Sequence, residues 1–394
     1  MLVATSVATD TRVLREATTL AAAGHDVHVI GRSVPPGWTP RPVRPAGTVS
    51  VSSVGTSSVF RAEGAPSLSG RTLPPHLRFA RWLLLPRHRN SAFGRWCAGA
   101  VADGRTRGYD VVHAHDFNAL PAGAELARLG GVPLVYDTHE FWPGRPREYR
   151  PTPLLDRRER ALERRLGGQA AAVITVGEGV ARALRSAYGW EHVMVLRNTF
   201  PYVAPPPAPQ RPAGLIYAGR LAAYRELEVI SAASGRLEEE LGLGVTLIGP
   251  SDETWLGRFD PGRARMLPPC PPEEVDALLS AAGLVLVTHS DRWENHRLAL
   301  PNKLFHAVRA GAPVVATDVG ELAKVVRAHG LGTLYPPGDV DGLVDAVARA
   351  VAGYPALCRA VRAAAPELSW ETDAGRLLGL YRRLAGAEPV ERPE

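Results

Sequence analysis

Three cationic side chains stand at turns where a predicted strand meets a predicted helix. Arg220 follows the strand-like run LIYAG (215–219), which ends in Gly219, and Arg225 lies where the next helix is expected to begin. Lys303, in the turn ALPNK, is one of only two lysines among 46 Lys and Arg residues. Taken singly, each could be a surface ion-pair partner. Together, at the carboxyl edge of one sheet, they predict a site for a diphosphate.

The turn ALPNK has a second feature that suits phosphate. Pro301 fits the first helical turn, where its missing N–H costs nothing. The N–H groups near Asn302 and Lys303 have no partner within their own helix. We therefore expect these backbone groups to bind phosphate beside the lysine.

Polar residues also follow the strands predicted in the first half of the chain. They are Asp10, Arg12, His115, Asp116, His139 and Glu140. A histidine at the end of a strand can bind a substrate or transfer a proton, although a lone histidine is more often structural. We expect His113 to face the opposite side of the sheet from His115.

Composition excludes several other classes of protein. The three cysteines, Cys97, Cys270 and Cys358, lack the spacing of a disulfide framework or a zinc site, which favours a reducing cytoplasm. No Asp-x-Asp pair directly follows a predicted strand, and no cluster of His, Cys and carboxylate residues has ligand spacing, so we expect no metal. No apolar run approaches the roughly 18 residues of a membrane span.

The net charge of +6 does not by itself indicate a nucleic-acid partner. The arginines are dispersed, and no RNP, zinc-finger or helix-turn-helix pattern accompanies them. A solvated basic surface with sites for small anionic molecules is the simpler interpretation. We expect no nucleic acid among the partners.

Apolar runs alternate with helical patterns along most of the chain, which predicts an α/β fold of two doubly wound, Rossmann-like parallel sheets. We assign residues 1–199 to an N-terminal domain and 214–368 to a C-terminal domain that face a central cleft. The proline-rich segment 200–213 is the linker. A last helix, 369–385, is expected to pack back on the first domain.

Two segments fit this alternation poorly. Residues 34–76 are rich in Pro, Ser, Gly and Thr and are expected to form a long irregular excursion, with part of it ordered. Residues 76–96 interleave arginines with apolar side chains, either as a helix packed on the first domain or as a peripheral contact with the inner membrane face.

The ordered set of motifs resembles the GT4-type (family 4) retaining glycosyltransferases of GT-B fold. The strings that carry the resemblance are DTRVLREATTLAAAGHDVHVI, YDVVHAHDFNAL, PLVYDTHE, VITVGEGVARAL, VMVLRNTF, LIYAGRL, ALPNKLFHAVRAGAPVVATD and SWETDAGRLLGLYRRL. They span nearly the whole chain. In that family the second domain binds a nucleotide sugar and the first binds the acceptor.

The resemblance implies roles for the residues that match family motifs. Arg220 and Arg225 would hold the donor diphosphate and act in catalysis, and His139 would lie near the transferred sugar. The implied donor site consists of Gly219, Arg220, Arg225, Glu294, Leu300, Pro301, Asn302, Lys303 and His306. The implied acceptor site is the polar set of the first domain.

Two positions depart from the family pattern. Residues 298–306 match a motif that begins and ends with glutamate, but here the ends are Leu298 and His306. A neutral imidazole can bond one ribose hydroxyl, but it cannot accept from two. Glu294 is the candidate for the missing carboxylate. The first turn, SVATDTR, also lacks the glycine pair common in the family.

The resemblance implies metal-independent transfer of a sugar from a UDP- or GDP-sugar to a small-molecule or glycan acceptor, with retention of configuration. High use of Ala, Arg, Gly and Pro suggests a GC-rich bacterial gene for specialised-metabolite or cell-envelope biosynthesis. Two alternatives stay open, a GT-B nucleotide-sugar epimerase and a catalytically silent binding protein. Turnover of donor without acceptor would indicate the first, and donor binding without turnover the second.

Overall fold

The computed structural model describes residues 1–35, 38–39, 47–55, 74–76, 93–145, 153–205, 207, 209–251 and 253–386. The chain forms two compact units. The described part of unit 1 is Met1–Thr175, Leu184–Met194 and 376–386, and unit 2 is Val176–Ala183 and Val195–Gly375. The proline-rich segment 200–213 therefore belongs to unit 2, as do residues 176–183, which the sequence had placed in the first domain.

Unit 1 contains a seven-stranded sheet, and its pairings from β3 to β6 are parallel. The strand order is β3-β2-β1-β4-β5-β6-β7. The strands are β1 Leu2–Ser6, β2 Val27–Ser33, β3 Val49–Ser53, β4 Val112–His115, β5 Leu134–Thr138, β6 Ala172–Thr175 and β7 Val193–Val195.

The helices of the first half follow the predicted alternation. They are α1 Thr11–Ala22, α2 (93–104), α3 Asp116–Gly130, α4 Pro153–Gly167 and α5 Glu178–Tyr188. Asp10 begins α1, because its carboxylate accepts a hydrogen bond from the backbone N–H of Val13 at 3.2 Å. Gly131 ends α3 in the left-handed conformation at φ 65°.

Unit 2 contains a six-stranded parallel sheet of order β10-β9-β8-β11-β12-β13. Its strands are β8 Gly214–Ala218, β9 Gly244–Ile248, β10 Arg265–Leu267, β11 Gly283–Val287, β12 Val314–Thr317 and β13 Gly332–Tyr335. The order reverses between β8 and β11. In open α/β sheets, ligands bind outside the carboxyl ends of the strands at this point.

Nine further helices lie in the second half of the described chain. They are α6 Leu227–Leu241, α7 Glu253–Leu256, α8 Pro272–Ala282, α9 Glu294–Leu298, α10 Asn302–Arg309, α11 Gly320–His329, α12 Val340–Ala352, α13 Tyr354–Ala364 and α14 Trp370–Leu384. The helix expected to begin at Arg225 begins at Leu227 instead, because Tyr224 and Glu226 are left-handed, with φ of 64° and 59°.

The core of unit 2 lies on both faces of its sheet. Alternate residues of β8 show this, because Leu215 and Tyr217 belong to one apolar cluster while Ile216 belongs to the other. Burial on both faces explains why the strands of this half are near-continuous apolar runs. The two-domain α/β class predicted from those runs is confirmed.

Three expectations concern segments outside the regular alternation or the membrane. The ordered part of the segment 34–76 includes β3, which pairs with β2 in parallel. The segment 76–96 falls mostly on residues 77–92, outside the described part of the chain. Among described residues, no helix has the length and apolar character needed to cross a membrane.

Candidate active site

The turn after β8 presents the predicted arginines of unit 2. Gly219 is required there, because a Cβ would lie 2.9 Å from Cε of Lys303. Arg220 is exposed and Arg225 half-buried, and both line a surface pocket of about 1060 Å³. Tyr224 and Glu226, the residues on either side of Arg225, both have a left-handed backbone. Strained backbone of this kind is concentrated at functional sites.

The side chains of Tyr217 in β8 and of Thr288, just after β11, hold this turn in place. The Tyr217 hydroxyl donates a hydrogen bond to the carbonyl of Arg220 at 3.0 Å. The Thr288 hydroxyl donates to the carbonyl of Arg225 at 2.6 Å. Both arginine backbones are therefore fixed while their guanidinium groups stay available.

Lys303 completes the cationic group. Its Nζ donates to the Tyr217 hydroxyl at 2.8 Å and lies 4.0 Å from the centre of that ring. Burial, and then the positive charge of Arg225, hold the pKa of Lys303 well below its usual range. No carboxylate of the described residues forms an ion pair with Lys303, Arg220 or Arg225, although Glu228 and Asp260 line the same pocket as the two arginines.

A second pocket of about 200 Å³ shares Gly219 and Lys303 with this site. Its wall is mainly apolar and includes Cys270, and His306 lies at its edge. A small apolar pocket beside a group of cations is suited to a flat ring that is attached to phosphate.

His306 already has partners within unit 2. Its Nδ1 lies 3.0 Å from Oδ1 of Asp276, and its ring centre is 3.9 Å from that of Phe200. The ring therefore lines the pocket with one nitrogen committed to a carboxylate. This contact was not foreseen, because Asp276 is 30 residues away on α8.

The other predicted donor residues occupy different environments. Leu300 is buried, and Pro301 precedes the first residue of α10. Asn302 is exposed, and its side-chain oxygen accepts a hydrogen bond from Asn198 at 3.1 Å. Glu294 is exposed at the first residue of α9 and is not among the residues that line the two pockets.

Sequence reasoning missed a polar group after β11. His289 and His296 are both buried, their ring centres are 5.2 Å apart, and Ser290 Oγ lies 2.9 Å from Nδ1 of His296. Burial, together with nearby positive charges that include Arg225, lowers the pKa of both histidines. Their position could have indicated this group, because both histidines follow β11, which lies next to the point where the strand order reverses.

Arg12 of unit 1 lies in a buried ion-pair cluster. Its guanidinium donates to both carboxylate oxygens of Asp137, at 2.9 and 3.0 Å, and lies 3.0 Å from Glu16. Only 3% of the Arg12 side chain is exposed. The prediction that Arg12 binds an acceptor is corrected, because this side chain is fully engaged in the core.

His115 and His113 occupy the same face of β4, contrary to expectation. Their rings stack with centres 4.3 Å apart, because residues two apart along a strand point to the same side. His115 is fully buried, 3.4 Å from Asp137, and His113 Nδ1 lies 2.9 Å from the Tyr381 hydroxyl. Burial lowers the pKa of both rings, and direct acceptor contact by His115 is therefore also corrected.

Among the predicted acceptor residues of unit 1, His139 and Asp116 have partly exposed side chains that contact each other. His139 Nδ1 lies 3.4 Å from Asp116, and 22% and 29% of these side chains are exposed. Asp116 has a left-handed backbone with φ 63°, and its carboxylate accepts a hydrogen bond from the N–H of His139 at 3.2 Å. Asp10 is taken up by the cap of α1, and Glu140 lies half-buried just after His139.

One cluster in unit 1 has the composition of a metal site, which the sequence spacing did not indicate. Donor atoms of Glu16, His113, His115 and Asp137 lie within 4.8 Å of one another. These residue types can bind a divalent ion. Here Arg12 contacts both carboxylates and already supplies the balancing positive charge. We therefore assign no metal to the cluster.

Comparisons with known proteins agree along the whole chain. A profile described as Glycosyltransferase Family 4 matches residues 9–201, and one described as Glycosyl transferases group 1 matches residues 212–352. A glycogen synthase of Mycobacterium tuberculosis is 29% identical over 401 residues, which cover 95% of this chain and 91% of the relative. D-inositol 3-phosphate glycosyltransferase 1 of Catenulispora acidiphila is 27% identical over 326 residues, 70% and 72% of the two chains.

Solved structures share the fold. Sucrose-phosphate synthase from Thermosynechococcus elongatus has a TM-score of 0.68 at 19% identity, covering 98% of this chain and 99% of that one. The Anabaena protein HepE in complex with UDP-glucose has a TM-score of 0.67 at 15% identity, covering 97% and 100%. The two adjoining profile matches and the two parallel-sheet units show that the chain belongs to the family 4 type of glycosyltransferases with the GT-B fold.

Proposed function

We propose that this glycosyltransferase moves a sugar from a UDP- or GDP-sugar to a small-molecule or glycan acceptor, with retention of configuration and without a metal. The observation that carries the proposal is the group formed by Arg220, Arg225 and Lys303. All three cations belong to one unit, and no carboxylate of the described residues neutralises them. A diphosphate supplies the charge that this group lacks.

The cations have a direct role in the proposed reaction. The bond between the anomeric carbon and the diphosphate oxygen breaks, and a bond from that carbon to the acceptor oxygen forms on the same face. The acceptor proton passes to the departing phosphate oxygen. Preorganised positive groups stabilise the negative charge that develops on the diphosphate, which is the task usually given to a metal ion.

Structures of the same fold support the choice of donor. HepE was solved in complex with UDP and with UDP-glucose, and an Escherichia coli trehalose-6-phosphate protein was solved with UDP-2-fluoro glucose. In the present chain the pocket at Gly219, Lys303 and His306 offers an apolar wall for the base, next to the cations.

The wider setting forms part of the same proposal. The composition, with 39 Gly and 35 Pro, is typical of GC-rich bacterial genes, where specialised-metabolite and cell-envelope glycosylation are the expected pathways. The three cysteines are all free, which supports a reducing cytoplasmic compartment.

One observation favours a second candidate, a binding protein without turnover. Leu298 and His306 replace both carboxylates of the family motif, and His306 is engaged by Asp276 at 3.0 Å. Such a protein would bind the donor but would leave its sugar in place.

A two-step experiment separates these functions. Thermal shift with UDP, GDP and other nucleoside diphosphates identifies the base, and the matching nucleotide sugars are then incubated with an acceptor panel. We expect stabilisation by one nucleotide and a product whose anomeric configuration, read by NMR, equals that of the donor. Inversion would overturn the retaining mechanism, and binding without any product would favour the silent protein.

A further inference from the structure

A set of charged residues beneath the carboxyl ends of β4 and β5 has no part in the proposed diphosphate site. Its centre is Asp137, which is fully buried and receives two hydrogen bonds from Arg12. Glu16, also fully buried, lies 3.0 Å from the same guanidinium. Two buried carboxylates therefore share one arginine.

Burial of a charge costs free energy, and one arginine favours ionisation of only one of these two carboxyl groups. Burial, and then the charge of Asp137, raise the pKa of Glu16 well above its usual range, and Arg12 offsets this only in part. Burial also acts on Asp137, but Arg12 and His139 outweigh it and hold that pKa well below the usual range. The shared arginine therefore favours the ionised form of Asp137, and Glu16 is the more easily protonated of the two carboxyl groups.

Asp137 also faces His139, the partly exposed histidine after β5. Its Oδ2 lies 3.6 Å from Nε2 of His139, while Asp116 lies 3.4 Å from Nδ1. Both ring nitrogens therefore face a carboxylate. A neutral imidazole carries a hydrogen on only one nitrogen, so its other lone pair would face a negative oxygen.

The remaining charged and titratable groups around this ring are accounted for. Arg12 is paired with Asp137, and His115 is buried with its pKa lowered. Burial alone would lower the pKa of His139, but Asp116 and Asp137 together raise it to about 9.

We propose that Asp137, held in place by two hydrogen bonds from Arg12, is a positioning residue that keeps His139 as an imidazolium at neutral pH. His139 then donates hydrogen bonds and does not serve as a general base. Its two N–H groups face Asp137 and Asp116, which leaves the partly exposed carboxylate of Asp116 as an acceptor. A carboxylate acceptor of this kind matches the hydroxyl groups of a neutral polyol.

NMR titration of the histidine ring protons tests the protonation state directly. The chain has 12 histidines, so the His139 signal is assigned by its loss in His139→Gln. We expect a midpoint near the raised value of about 9 in the wild type. Asp116→Asn, which leaves the buried pair intact, should lower it by about 1–3 pH units, the usual effect of one adjacent charge. A wild-type midpoint at or below the ordinary 6.5 would overturn the proposal.

A matched pair of near-isosteric variants tests which buried carboxylate is charged. Burial and the charge of Asp137 favour the protonated form of Glu16, so we expect Glu16→Gln to keep both the His139 midpoint and the thermal stability. Asp137→Asn should lower the midpoint and the melting temperature together. If Asp137→Asn does not fold, the midpoints in Glu16→Gln and Asp116→Asn still decide. An equal loss in Glu16→Gln and Asp137→Asn, or no shift in Asp116→Asn, would contradict the assignment.

Discussion

At the scale of single residues, the two arginines after β8 differ from six other described arginines of unit 2. Arg182, Arg197, Arg236, Arg263, Arg309 and Arg327 each pair with a carboxylate. Arg220 and Arg225 pair with none among the described residues, although both line a pocket. Charges held in place without a partner are characteristic of a site that waits for its ligand.

Arg220→Ala and Arg225→Ala should each lower turnover by about 10²-fold or more, the scale for losing one preorganised charge donor. The melting temperature should change little, because neither side chain supports the core. Arg327→Ala, which removes an exposed ion pair on α11, is the matched control and should keep full activity. Steady-state rates at saturating donor measure the effect. Near-normal rates in both site variants would place the diphosphate elsewhere.

His306→Ala should weaken binding of the free nucleotide by about 0.5–1.5 kcal/mol, the net value of one neutral hydrogen bond. Restoring the family's glutamate is not a simple reversal here, because His306→Glu would place two carboxylates beside each other at Asp276. We expect His306→Glu to bind tightly only when combined with Asp276→Asn. Calorimetric titration of the three variants measures this, and unchanged affinity in His306→Ala would remove His306 from the donor site.

At the scale of elements, β8 and α10 are joined through one hydroxyl group. Tyr217 accepts a hydrogen bond from Lys303 on α10 and donates one to the backbone of Arg220. The tyrosine is fully buried within its strand. It therefore transmits the rigidity of the sheet to a turn that carries two left-handed residues.

Tyr217→Phe tests this arrangement, since it removes the hydroxyl and keeps the ring beneath Lys303. We expect affinity for the nucleoside diphosphate to fall about 2- to 12-fold, the equivalent of one hydrogen bond. Affinity for the nucleoside alone should not change, because the hydroxyl positions only phosphate-binding groups. Thr288→Val removes the hydrogen bond to the Arg225 carbonyl and should lower the affinity for the nucleoside diphosphate to a similar extent. An equal loss for both ligands would mean a general structural defect instead.

At the scale of the whole molecule, each unit has a polar centre, and these two centres differ in their balance of positive and negative charge. The pocket of unit 2 holds Arg220 and Arg225 without an ion-paired carboxylate of the described residues, whereas unit 1 surrounds Arg12 and His139 with the acidic side chains of Glu16, Asp137 and Asp116. This difference supports the proposal that unit 2 binds the anionic donor and that unit 1 binds an uncharged partner.

If the cations of unit 2 replace a metal, activity should persist in excess EDTA. Rates are compared before and after the chelator, and again after adding magnesium or manganese. A protein inactivated by EDTA and restored by either ion would contradict the metal-free mechanism. The control is Lys303→Met, which should lose activity in all three conditions because its charge cannot be replaced from solution.

The sequence alone determined the order of elements and the location of the cations. The apolar run that ends in Gly219 and the turn ALPNK can be recognised from short stretches of sequence. The patterns of buried strands, helix starts and turns depend on neighbours within a few positions. Arg220, Arg225 and Lys303 could therefore be predicted. The strands β3 and β10 could not, because short strands at or near a sheet edge carry too weak a pattern.

Only the tertiary structure decided which polar residues are available to a ligand. Arg12 and His115 have the composition and position of site residues, yet their partner Asp137 lies 125 and 22 positions away and draws them into the core. His306 is likewise taken by Asp276, 30 residues distant. Desolvation and ion pairing act through space, so a side chain's burial, charge state and freedom to bind depend on neighbours that sequence separation conceals.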